Sequence, residues 1–222
     1  MSVVRSITSA IATLFLSVAI CSQTPSPTPV EAKANARPPA PAFAAEPYDK
    51  ADVKAMAAKC VSLDTEVGVI DIELFPEGAP ESVRNFLNLV ATGFFNTTTF
   101  SRVVPRFVIQ GGHAWSREGG VSNQLAARAR RNVVDEPNKI LHERGIVSMA
   151  RTDEPNSATT NFFILVDKAA YLDNKFAAFG RVTRGMDVVD TINRAPVKEE
   201  KPEKPVRVKK ASVVACLSDP PA

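Results

Sequence analysis

Histidine and cysteine are scarce in this 222-residue chain, with two of the first and three of the second. His113 and His142 stand in no metal-ligand spacing with one another or with Cys21, Cys60 and Cys216, so no zinc site is expected. Neither histidine lies in a GxSxG-like or HExxH-like context, which leaves a secreted hydrolase without sequence support. Charge of one sign is also in short supply. The net value of +3 comes with no RNA-binding or helix-turn-helix signature, so nucleic acid is not an expected partner. Strand and long helix do not alternate, which argues against a parallel-sheet nucleotide fold. No metal and no cofactor is expected.

Long apolar runs are missing as well. The one candidate, Ile7 to Ile20, falls short of the ~20 residues of a comfortable membrane span. With Arg5 ahead of it, it reads as the h-region of a secretory signal, with cleavage after Ala19 or after Cys21. Leu16 to Ala19 leading into Cys21 also offers Cys21 as a lipid anchor, although Ile20 stands where such signals carry a small residue. An uncleaved anchor is the third reading. All three predict an extracytoplasmic protein, periplasmic or secreted, two of them with a membrane tether at the N-terminus. From Ser22 to Tyr48 seven prolines sit among Ala, Ser and Thr, a composition that cannot pack a core and behaves as an extended spacer. The predicted organisation is therefore a signal over 1–21, a Pro/Ala-rich linker over 22–54 and one domain over 55–219.

Within that domain, 45% hydrophobic and 23% charged residues overall suit one soluble core, expected as a monomer. After a short helical lead-in from Asp49 to Lys59, Cys60–Asp64 and Val69–Leu74 read as a hairpin. Ile70, Ile72 and Leu74 alternate with Asp71 and Glu73, the period of a sheet with one buried face. Pro80 and Glu81 open a helix whose stripe is Val83, Phe86, Leu87 and Val90, ending near Gly93. Strands follow at Phe100–Val104 and Phe107–Gln110. A polar excursion spans 113–144, with Arg128, Arg130 and Arg131 expected on a solvated helical turn. Further strands are expected at Gly145–Ala150, at Asn161–Val166 and within Tyr171–Val182. A second amphipathic helix spans Gly185–Arg194, the charged loop KEEKPEKP follows, and a last strand runs from Val206 to Leu217. Some eight short strands and two helices predict a mainly β fold, a closed eight-stranded antiparallel barrel capped by two α-helices.

The stretch Phe100 to Gly112, FSRVVPRFVIQGG, is the focus of the domain. Arg102 is a cation within it, set among Phe100, Val103, Val104, Phe107, Val108 and Ile109, with the neutral amide Gln110 nearby. A guanidinium is costly to surround with apolar groups unless something pairs with it or uses it, which makes Arg102 a site candidate.

Three ordered motifs, FSRVVPRFVIQGG, GIVSMARTDEPNSATTNFFI, and YLDNKFAAFGRV followed by GMDVVDTI, resemble those of the cyclophilins over about Val61 to Leu217. That family comprises peptidyl-prolyl cis/trans isomerases with an eight-stranded barrel capped by two helices. The resemblance implies that Arg102 is the catalytic arginine and Gln110 the amide that orients it and the substrate. It puts Phe107, Val108, Phe163 and Leu172 in the apolar pocket for a proline ring, and Tyr171 and Phe176 at its rim. Ala150 and Arg151 would pair through their backbone with the peptide, and Asn161 stands where a glutamine is more usual. The implied partners are proline-containing polypeptides, unfolded or in exposed loops; a non-catalytic proline-peptide-binding module or holdase chaperone would use the same groove.

Departures from the family pattern include Ser101 and Phe176, both at positions that are often histidine. Tyr171 stands where animal members often carry tryptophan, which counts against tight ciclosporin binding. In a barrel of this kind the terminal strands are expected side by side. Cys60 and Cys216 then fall within reach of a disulfide in an oxidising compartment, or remain two unpaired thiols.

Overall fold

A computed structural model describes residues 45–216. The signal, most of the linker, Cys21 and the end of the last strand at Leu217 lie outside the described residues. In chain order the elements are α1 (Val53–Ala57), β1 (Lys59–Thr65), β2 (Gly68–Leu74), α2 (Pro80–Ala91), β3 (Arg102–Val104), β4 (Val108–Gly111), α3 (Asn123–Arg128), β5 (Ile146–Met149), β6 (Phe162–Leu165), β7 (Ala178–Arg184), α4 (Met186–Asn193), β8 (Val197–Lys198), β9 (Lys201–Pro202) and β10 (Val208–Ala215).

Eight strands form one antiparallel sheet in the order β10-β1-β2-β7-β5-β6-β4-β3. Its closure is more economical than a continuous ladder. The outer strands β3 and β10 are joined not by a ladder of their own but by the residues leading into them. Thr99 and Arg207 form one antiparallel bridge, Thr97 N donates to Val208 O at 2.8 Å, and Phe100 N donates to Val206 O at 2.9 Å. Beside the sheet, β8 and β9 make a separate two-stranded hairpin out of the charged loop.

Alternation explains how so short a set of strands holds two apolar layers. All four residues of β6 are buried, yet Phe162 and Ile164 face the barrel interior while Phe163 and Leu165 belong to a smaller cluster on the other face. Strand β4 divides likewise, with Ile109 inside and Val108 outside. The interior is aromatic: Phe86 of α2 lies 4.9 Å from Phe179, 5.2 Å from Phe162 and 5.3 Å from Phe95, ring centre to ring centre. The outer cluster is the floor of the site described below.

Helix α2 begins at Pro80 with Ala79 before it, a residue with no side chain to cap the free N–H groups. Glu136, far along the chain, supplies that cap. Its carboxylate accepts from Glu81 N at 2.9 Å, Ser82 N at 2.8 Å and Ser82 Oγ at 2.8 Å. The polar excursion is thereby fastened to the helix. Its basic cluster also differs from expectation: Arg128 is buried, pairing with Glu46 at 2.6 Å and donating to Asn85 Oδ1 at 2.9 Å. Arg131 reaches the other oxygen of Glu46 at 3.5 Å. A largely buried carboxylate near the end of the linker, Glu46, holds Arg128 inward, a pairing no local pattern announces.

Two further expectations shift. The lead-in helix shrinks to α1, capped by the Asp52 carboxylate accepting from Ala55 N at 2.7 Å. The Tyr171 stretch is a 3-10 turn over Ala170–Leu172 and a loop before β7. Cys60 on β1 and Cys216 just beyond β10 form a disulfide with their Cα atoms 4.9 Å apart, across the pairing in which Lys59 faces Ala215.

Candidate active site

A cavity of about 220 Å³ opens over the outer cluster. Strands β3 and β4 and the turn between them give it Arg102, Phe107, Val108 and Gln110; β6 gives Phe163. The segment just after β5 contributes Ala150 and Arg151, and the loop before β7 contributes Tyr171, Leu172 and Phe176.

Register brings the groups from the first three strands together. Arg102 is opposite Gln110, Gln110 opposite Phe163, and Phe163 opposite Ser148, a row crossing β3, β4, β6 and β5 on the outer face. The next row is Val104, Val108 and Leu165. The turn between β3 and β4 is held from α4. Buried Asn193 donates to Val104 O at 2.9 Å and Val108 O at 3.0 Å, and accepts from Arg106 N at 2.8 Å. Arg106 itself has φ 60°, a left-handed conformation that this three-bond latch offsets. At the other end of β4, Gly112 has φ +88°, and a Cβ there would meet Thr160 O at 2.2 Å, so glycine is required.

The two arginines of the wall are unlike. Arg151 is already engaged: its guanidinium carbon lies 4.9 Å over the Phe176 ring, Nη1 donates to Thr152 O at 2.8 Å, Nη2 donates to Lys175 O at 3.3 Å, and Asp135 is 3.6 Å from Nε. Arg102 is half-exposed. Its Nε donates to Glu200 Oε2 at 2.7 Å and its Nη1 to Gln110 Oε1 at 3.2 Å. The apolar walls pack ring on ring, with Phe107 and Tyr171 5.8 Å apart and Phe163 edge-on to Phe176 at 6.1 Å.

Asn161 is the exception among the residues expected here. It is not among the residues that line the cavity; its backbone carbonyl accepts from Ala150 N at 2.9 Å.

One polar cluster escaped sequence reasoning altogether. His142 is buried, with Nδ1 3.1 Å from Asp173 Oδ1 and Nε2 2.9 Å from Ser148 Oγ. An ionised carboxylate can only accept, so Nδ1 carries the proton and Nε2 accepts from the serine hydroxyl. Burial holds the imidazole below its ordinary pKa, against the opposing pull of Asp173. The Asp173 carboxyl is in turn held low, chiefly by the His142 backbone N–H at 2.7 Å. The order of contacts resembles a serine protease triad, but Ser148 is wholly buried, so no substrate carbonyl reaches its hydroxyl. The cluster instead ties the loop carrying Tyr171, Leu172 and Phe176 to β5.

Residues 60–213 match the model of the cyclophilin type peptidyl-prolyl cis-trans isomerases. The peptidyl-prolyl cis-trans isomerase A of Dickeya dadantii is 37% identical over 166 residues, covering 69% of this chain and 84% of that one. Peptidyl-prolyl cis-trans isomerase B of Escherichia coli is 34% identical, covering 69% of this chain and 98% of its own. Among solved structures, cyclophilin AquaCyp293 of Hirschia baltica superposes with a TM-score of 0.61 at 26% identity, covering 74% of this chain and 76% of that one. A Cryptosporidium parvum cyclophilin crystallised in the presence of the dipeptide Ala-Pro gives 0.60 at 26% identity, covering 72% and 99%. The matched relatives are named peptidyl-prolyl cis-trans isomerases, and the solved cyclophilins share this curled eight-stranded sheet. The chain belongs to the cyclophilin family of peptidyl-prolyl cis-trans isomerases.

Proposed function

We propose that this protein accelerates rotation about X-Pro bonds in polypeptides folding outside the cytoplasm, with Arg102 as the donor to the prolyl nitrogen. The uncatalysed barrier is ~20 kcal/mol because amide resonance must be lost, while cis and trans differ by only about 1 kcal/mol. No bond is broken, so the chemistry needs neither nucleophile nor metal. In the twisted transition state the prolyl nitrogen regains its lone pair and becomes an acceptor. A fixed guanidinium beside it stabilises that state more than the planar ground state. Phe107, Val108, Phe163 and Leu172 hold the ring while the preceding carbonyl turns, and their low polarity strengthens the Arg102 interaction.

The observation that carries this reading is the difference between the wall's two arginines: Arg151 spends its guanidinium on its own chain, and Arg102 keeps donors for a ligand. An extracytoplasmic site of action is supported by the signal-like N-terminus and by the Cys60–Cys216 disulfide, a bond that persists in oxidising compartments. On this reading residues 55–219 are a monomeric folding catalyst carried on the linker. A protease-coupled assay on a proline peptide tests it. Arg102→Ala is expected to lose roughly 10²–10³-fold in turnover, the typical cost of removing one preorganised donor, with melting unchanged. Wild-type turnover in that variant contradicts the assignment, and a wild-type protein that binds peptide without turning it over makes the domain a holdase.

A further inference from the structure

The charged loop between α4 and β10 folds into the β8–β9 hairpin, with Val197 opposite Pro202 and Lys198 opposite Lys201. Its two-residue tip, Glu199 and Glu200, has φ 50° and 62°. Tips of this left-handed kind favour Asn and Gly, so a pair of glutamates there is held at a cost. What that backbone achieves is placement. Glu200 O accepts from Val103 N at 2.8 Å, docking the tip against β3, and Glu200 Oε2 accepts from Arg102 Nε at 2.7 Å.

We propose that Glu200 is a positioning residue for Arg102 and tunes which peptides the cavity accepts; the inference rests on the role given to Arg102 above. A half-exposed arginine has several rotamers, and the pocket's own restraint is a bond to the uncharged amide of Gln110 at 3.2 Å. The bond to Glu200, between two opposite charges, is half an ångström shorter (3.2 against 2.7 Å) and is the stronger of the two. Together they clamp the Nε edge and one side of Nη1. Among the described residues the hydrogen bonds of Arg102 use only these two nitrogens, so the Nη2 donors remain for substrate. The carboxylate also sets a negative charge one side chain from the cavity wall. That charge offsets part of the positive charge of Arg102 and Arg151 on the wall, so its removal favours peptides with an acidic residue next to proline relative to those with a basic one.

Full-length Glu200→Ala, Glu200→Gln and Glu199→Ala are compared with wild type on three peptides carrying Glu, Ala or Lys before proline. Glu200→Ala is expected to lower kcat on the Ala peptide about five- to tenfold with KM nearly constant, as the freed guanidinium samples unproductive rotamers. Glu200→Gln keeps an acceptor and is expected to recover most of that loss. Both are expected to shift the ratio of kcat/KM for the Glu over the Lys peptide upward about threefold, the scale of one charge screened by water at this range. Glu199→Ala, at the same strained tip but away from Arg102, is expected to match wild type. Unchanged kcat in Glu200→Ala, a rise in kcat, or an equal loss in Glu199→Ala each overturns the proposal. A folding defect in Glu200→Ala is recognised from its melting curve, and Glu200→Gln then decides through the peptide ratio. Full turnover in Arg102→Ala would instead sink the assignment of Arg102 itself, whereas a slow Arg102→Ala beside an unaffected Glu200→Ala sinks this inference alone.

Discussion

His142 shows how much a single side chain can hold that its neighbours in sequence do not announce. Its two ring nitrogens join half-buried Asp173 on the rim loop to wholly buried Ser148 on β5. Because burial lowers its pKa, the folded protein keeps the ring neutral at a pH where the unfolded chain takes up a proton. The unfolded state then binds more protons, so stability is complete above the ordinary value near 6.5 and falls as pH drops from there toward the folded pKa. The slope is at most about 1.4 kcal/mol per pH unit. Melting temperature is expected to be level from pH 8 to 7 and to decline from pH 6.5 to 5; a rise on acidification would contradict the neutral assignment. Asn193 makes a second residue-scale case. Its three bonds to the β3–β4 turn include one to the buried carbonyl of Val108 and one to the part-buried carbonyl of Val104, so Asn193→Ala is expected to destabilise by about 2–3 kcal/mol in denaturant titration. An effect below 0.5 kcal/mol would show that water replaces the latch.

At the scale of elements, what was legible followed period and punctuation. Ile70, Ile72 and Leu74 are buried as their alternation demands, and Pro80 opens α2 as its fixed φ suits. The cavity residues were legible for a different reason. They lie on short motifs resembling a known family, and the structure brings all of them except Asn161 to one wall. Contacts made across long separations left no such mark. Glu136 caps a helix 54 and 55 residues before it, and Glu200 meets Arg102 across 98 residues. A polar loop and a run of charges looked solvated because only the fold reveals their partners. The cap also carries a test: Glu136→Ala is expected to cost about 1–2 kcal/mol of stability, the range for losing an N-cap, while leaving turnover intact. Equal stability would mean that the N-terminus of α2 finds another acceptor.

For the whole molecule, the disulfide and the cavity divide the labour of the barrel. Cys60 and Cys216 close a loop of 156 residues, for which chain entropy predicts about 5 kcal/mol, and measured losses of native disulfides run at 2–5 kcal/mol. Neither β1 nor β10 contributes a residue to the cavity. Cys60→Ser is therefore expected to lower the melting temperature by roughly 10 °C and to leave kcat/KM at low temperature within about twofold. A loss of activity without a loss of stability would tie the disulfide to the site instead. The central claim, that Arg102 lowers the rotation barrier rather than merely gripping proline, is tested most directly by exchange NMR on a proline peptide bound to Arg102→Ala. The account predicts an affinity close to wild type with bound cis/trans exchange slowed by at least about 10²-fold. Unchanged exchange at saturating enzyme would contradict it.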